Sequence, residues 1–196
     1  CPSLLRRGQA CAVNGWQAFC AIGVASWLTL ASSLACADTA SPHLTLHPQG
    51  LSSFRLGSAL QTAAQQMAAW DRAALQIGPG CDERDQSVVT ATVAGMSATV
   101  MAMADAGGQI VEIVASVPHQ GAAVTQQVCK ARAQDWVHAL SPRLGMAHSL
   151  ASYTRGNATV SQTWLSPQSK VEARWFAGGG SCDLSLHFQR PRQSPL

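Results

Sequence analysis

The stretch KVEARWFAGGGSCDLSLHFQ, residues 170–189, decides the fold. Val171, Ala173 and Trp175 alternate with Glu172, Arg174 and Phe176; beyond a glycine run, Leu184, Leu186 and Phe188 alternate with Ser185 and His187. A period of two marks a strand with one buried face. The three glycines of Gly178-Gly179-Gly180-Ser181 between the runs can reach positive φ without a Cβ clash, so the segment predicts a hairpin turn. Val171, Ala173 and Trp175 then share a face with Leu184, Leu186 and Phe188, while Arg174 and Phe176 point to the open face beside Glu172.

Working outward, another alternating run lies around Val160 to Leu165, joined by a turn at Ser166-Pro167-Gln168-Ser169. Ahead of it, Val124, Val128, Ala131, Leu140 and the pair Trp136-Val137 predict a helix over 123–140, stopped by Pro142 and Gly145. The same order occurs earlier in the chain. Leu56, Leu60, Ala63, Ala64, Met67, Trp70 and Ala74 recur at steps of three and four, which predicts a helix from Leu56 to Gln76 with Ser58 as N-cap and Gly78-Pro79-Gly80 as its end. Three alternating runs follow, through Val89, Ala91 and Val93, then Val100, Ala102 and Ala104, then Val111, Ile113, Ala115 and Val117, with breaks at Gly95 and Gly107-Gly108. The expected fold is α+β: two helix-plus-three-strand-meander blocks forming an antiparallel sheet packed by helices on one face. It spans 56–190 as a single domain, followed by a tail at 191–196.

The beginning of the chain reads as an address. Arg6 and Arg7 precede an apolar run from Trp16 to Leu34 and a small-residue close, Ala35-Cys36-Ala37, which is the grammar of a secretory signal peptide over 1–37. Residues 38–55 read as a tether and opening strand, punctuated by Pro42 and Pro48, with His43 and His47 solvated rather than paired on a helix. Removing the leader takes two Arg from the 13 Lys and Arg, leaving 11 against 10 Asp and Glu. A chain so nearly neutral has no electrostatic footprint for nucleic acid, and its contact with a membrane is confined to the leader before cleavage.

Three cysteines, Cys81, Cys129 and Cys182, remain beyond the leader. An oxidising compartment favours pairing two of them. Spacing alone leaves all three pairings open; the expected one is Cys81 with Cys129, each at the edge of an element packed on the same sheet. No cofactor motif is present: P-loop, dinucleotide fingerprint, H-E-x-x-H and nucleophile elbow are all missing from the sequence. Chemistry of three other kinds is weighed against that. Cys182 or Ser181, behind the glycine run, offers a nucleophile for a hydrolase or thiol enzyme, although a hairpin turn is the simpler use of the segment. Met101 and Met103 share a strand face near Met96 and offer thioethers to Cu(I). Arg174 and Phe176, with Tyr153 and Arg155 just ahead of the second meander, offer the aromatic and guanidinium groups that dominate protein interfaces.

The stretch Leu51-Ser52-Ser53-Phe54-Arg55-Leu56-Gly57, a short apolar strand leading through glycine into a helix, resembles the opening of the small two-layer modules of the β-lactamase-inhibitor-protein type and of the related outer-membrane assembly lipoproteins. That resemblance, at the level of architecture, implies non-catalytic protein binding in a bacterial envelope. The resulting expectation is an exported, periplasmic protein-binding module, such as an inhibitor, an immunity protein or an assembly factor, with a protein partner and no cofactor.

Overall fold

The computed structural model describes residues 42–118, 123–145, 147–148, 153–155 and 157–191; the expected leader and most of the expected tail lie outside these residues. Within them the chain is α+β. A small sheet comes first, built from β1 (Leu46–His47), β2 (Gly50–Leu51) and β3 (Phe54–Arg55). Helix α1 (Leu60–Met67) and a 3-10 turn (Arg72–Leu75) lead to β4 (Gly78–Pro79), β5 (Asp85–Val93), β6 (Met96–Ala104) and β7 (Ile110–Val117). Helix α2 (Gln126–Leu144) precedes β8 (Tyr153–Arg155), β9 (Ala158–Leu165), β10 (Lys170–Gly178) and β11 (Ser181–Gln189). The last eight strands form one antiparallel sheet in the order β4-β5-β6-β7-β11-β10-β9-β8.

The long strands follow the alternation in the sequence. On β10 and β11, Val171, Ala173, Trp175, Leu184, Leu186 and Phe188 are all buried, and the register pairs Val171 with Phe188, Ala173 with Leu186 and Trp175 with Leu184. Gly179 and Gly180 turn this hairpin with φ of 58° and 81°, the double positive φ that a two-residue turn requires. Each meander departs from expectation by one short strand, β4 and β8, which extend the sheet at its two edges.

The helices depart further. The first starts at Leu60 rather than Leu56, because the Ser58 hydroxyl donates to the Arg55 carbonyl instead of capping the helix. It stops at Met67, where Asp71 draws the chain away: its carboxylate accepts from Ala73 N at 2.9 Å and from Thr90 N at 3.2 Å, and Trp70 is left exposed. The second helix runs through Pro142 and ends against Gly145. Its buried stripe is Cys129, Ala133, Trp136, Leu140 and Leu144, whereas Val128 is 52% exposed, so the helix is rotated from the face that its apolar residues alone indicate. The stretch read as a tether and opening strand packs on the domain from residue 42 onward. Leu44, Leu46, Leu51 and Phe54 are buried in the same core as the strands, and residues 42–44 pair with Thr92 of β5.

Cysteine pairing corrects the expectation of Cys81 with Cys129. Cys129 is joined by a disulfide to Cys182, with Cα atoms 5.4 Å apart. The physical reason is the sheet order. Cys81 lies between β4 and β5 at one edge, while Cys129, at the start of α2, has its Sγ 3.5 Å from Phe176 O on β10, four strands from β5 at about 4.8 Å per strand. That exceeds the roughly 7 Å over which two Cα atoms can be bridged. The Val124 amide donates to Gly180 O at 2.9 Å, holding the start of α2 over the hairpin turn that carries Cys182. Among the described residues no helix is long and apolar enough to cross a membrane.

Candidate functional site

Both helices contact the face of the sheet that carries Val89, Val100, Ile113, Leu186 and Ala173, so the alternate positions form the second face. Polar residues dominate it. On β10 this face presents Lys170, Glu172, Arg174 and Phe176, and the register places Thr163 of β9 and His187 of β11 on either side of Glu172. A bulge beside Ala173 brings Val160 opposite both Arg174 and Tyr153, which turns Tyr153 of β8 toward the same face.

Glu172 is the centre of this arrangement. Its side chain is 2% exposed, yet it is charged and heavily partnered. Oε1 accepts from the Tyr153 hydroxyl at 2.7 Å and pairs with Lys170 Nζ. Oε2 accepts from Arg174 Nε at 3.0 Å and from Arg174 Nη2, and Arg155 Nη1 lies 3.6 Å away. Burial, the largest influence, would raise the carboxyl pKa, but the hydrogen bonds from Lys170, Tyr153 and Arg174 outweigh it and hold the group down to about 2. Accepting the phenol hydrogen bond also raises the Tyr153 pKa, so that hydroxyl remains a donor. His187 is driven the other way: burial, then the Arg174 charge, push it down to about 4, and it is neutral at physiological pH. Its Nδ1 and Thr163 Oγ1 are buried without a hydrogen-bond partner among the described residues.

A second polar cluster lies beside the first. Arg84 pairs with Asp82 and, at 3.0 Å, with Glu112, which also accepts from Gln189 Nε2 at 2.8 Å. Gln189 is opposite Lys170, so charged and amide side chains continue from the loop before β5 through β7, β11 and β10 to β8.

Of the residues singled out from the sequence, Tyr153, Arg155 and Arg174 meet at Glu172. Phe176 is on the same face, 36% exposed and four residues from Glu172 on β10. Its ring lies over Gly178, where an added Cβ would come within 2.6 Å of Cζ. Trp164 and Trp175 instead fill the core. Lys170 and Thr163 are not among the residues singled out from the sequence, and His187 enters there only as a thiolate partner for Cys182 on the opposite strand face. Stepping by two from Arg174 reaches Glu172 and Lys170, and closing the turn at 166–169 places Thr163 opposite Glu172, so the signal existed in the strand period.

Two other chemistries lose their groups. The thiol that Cys182 would offer in the alternative reading is tied up in its disulfide with Cys129, and Ser181 Oγ donates to Gly178 O within the hairpin turn at 2.8 Å. Met103 Sδ lies 3.4 Å from Arg84 Nη2, so a cation on the Met101 and Met103 thioethers would face a guanidinium, while Met96 sits at the other end of β6. Among the described residues no group of His, Cys, Asp or Glu is arranged to hold a metal ion.

Comparison with family models, with curated proteins and with solved structures finds no match.

Proposed function

We propose that this chain is an exported, periplasmic, non-catalytic protein-binding module that engages its partner through the polar sheet face around Glu172, in the manner of an inhibitor, an immunity protein or an envelope assembly factor. The observation that carries the reading is the convergence of Tyr153, Arg155 and Arg174 on one buried carboxylate, with Phe176 exposed beside them on a face the helices leave uncovered. Ion pairing to Glu172 fixes side chains that are otherwise costly to immobilise, so a partner meets a preorganised surface. Arginine and aromatic groups held in this way are the usual anchors of protein interfaces. Export is supported by the signal-like leader, and the Cys129–Cys182 disulfide is of the kind that persists in an oxidising compartment.

The test is affinity capture by the full chain from envelope extract. A stoichiometric partner retained by the native chain and weakened by about tenfold or more in Phe176→Ala supports the reading, since one hot-spot truncation removes more than about 1 kcal/mol. Equal retention by the variant removes this face from consideration.

A further inference from the structure

We propose that the groove bordered by Tyr153, Arg155, Lys170, Gln189 and Arg190, a cavity of about 460 Å³, captures the carboxylates of an acidic, extended peptide segment of the partner. The inference rests on the binding reading above and supplies the partner's chemistry.

The walls carry three cations and no carboxylate. Glu172 lies behind them, and its single negative charge is shared by Lys170, Arg155 and Arg174. Arg190 has no ion-pair partner among the described residues. The groove therefore keeps an excess of positive charge at a concave surface, where a bound anion is partly desolvated and its attraction is correspondingly stronger.

The donors fit a carboxylate. Lys170 borders the groove and pairs with Glu172 through an ammonium that carries three N–H groups, so donors remain for a second carboxylate. Guanidinium groups such as Arg155 and Arg190 add a planar fork that matches carboxylate oxygens. A long polyanion is a poorer fit, because Asp82 and Glu112 lie further across the same face and already outnumber Arg84 there.

The edge of the sheet argues for an extended segment. Strand β8 pairs with β9 and has no second strand partner among the described residues. A peptide pairing along β8 would send alternate side chains to the face that holds Tyr153 and Arg155.

The full chain is titrated, by intrinsic fluorescence, with a synthetic peptide of alternating glutamate and alanine and with its glutamine analogue. The expected result is binding of the glutamate peptide about tenfold or more tighter than its analogue, weakening as salt is raised. The double variant R155Q/R190Q, checked for native circular dichroism, should abolish that preference, while R84Q should retain it. Equal binding of the two peptides, or a preference that survives in the double variant, overturns the inference. Tighter binding of inorganic phosphate than of the peptide overturns the assignment to carboxylates. A chain that ignores the glutamate peptide yet still captures a partner through Phe176 loses this inference alone, and the binding reading stands.

Discussion

Replacing Glu172 by Gln keeps the size of the side chain and removes its charge. The native carboxyl pKa is held at about 2 against 4.5 for the free group, and each unit corresponds to about 1.4 kcal/mol, so the ionised group contributes roughly 3 kcal/mol at neutral pH. Removing one member of a buried ion pair costs about 3 to 5 kcal/mol. The lower end applies because Lys170 and Arg155, at 30% and 44% exposed, regain water when their partner is lost; only Arg174, at 12%, stays largely buried. The pH dependence has a definite sign. A depressed carboxyl pKa gives stability that is complete above the unfolded value near 4.5 and is lost as pH falls toward about 2. Urea unfolding of the two proteins should therefore differ by about 3 kcal/mol at neutral pH, and the difference should shrink toward zero near pH 2. A loss below about 1 kcal/mol at neutral pH, or a gap that does not close in acid, would refute the account of Glu172 as a preorganising centre.

Other substitutions test separate parts of the structure. His187→Gln should flatten the loss of stability between pH 6.5 and about 4, because the native imidazole is kept neutral by burial while the unfolded one gains a proton; thermal melts across that range check it. Replacing both Cys129 and Cys182 by Ala opens a crosslink between residues 53 apart, which should cost about 4 kcal/mol in the chain-entropy account, measured by denaturation. Gly50→Ala places a Cβ 2.1 Å from Phe54 O and 2.8 Å from Ile113 Cδ1 at φ of 153°, so a large drop in melting temperature is expected.

The sheet was legible because six of its strands are long enough to show alternation, and their turns carry glycine or the Ser166–Ser169 loop. Short strands β4 and β8 have no period to read, and they exist because a neighbouring strand offers them a ladder. Helix phase was less legible. In an Ala-rich chain an apolar stripe is ambiguous, and the face of α2 is set by Trp136, whose indole N–H reaches Val93 O at 3.4 Å, and by the bond from Cys129 to Cys182. The disulfide itself depends on strand order, which local pattern does not contain. The polar face around Glu172 was half legible. Arginine and aromatic residues stood out by type, whereas the role of Glu172 depends on three strands meeting around it.

The most direct test of the central claim is hydrogen exchange on the captured complex, compared with the free chain. The account expects new protection in β8, β9 and β10, around Tyr153, Glu172 and Phe176. Protection confined to α1 and α2, on the opposite side of the sheet, would contradict it.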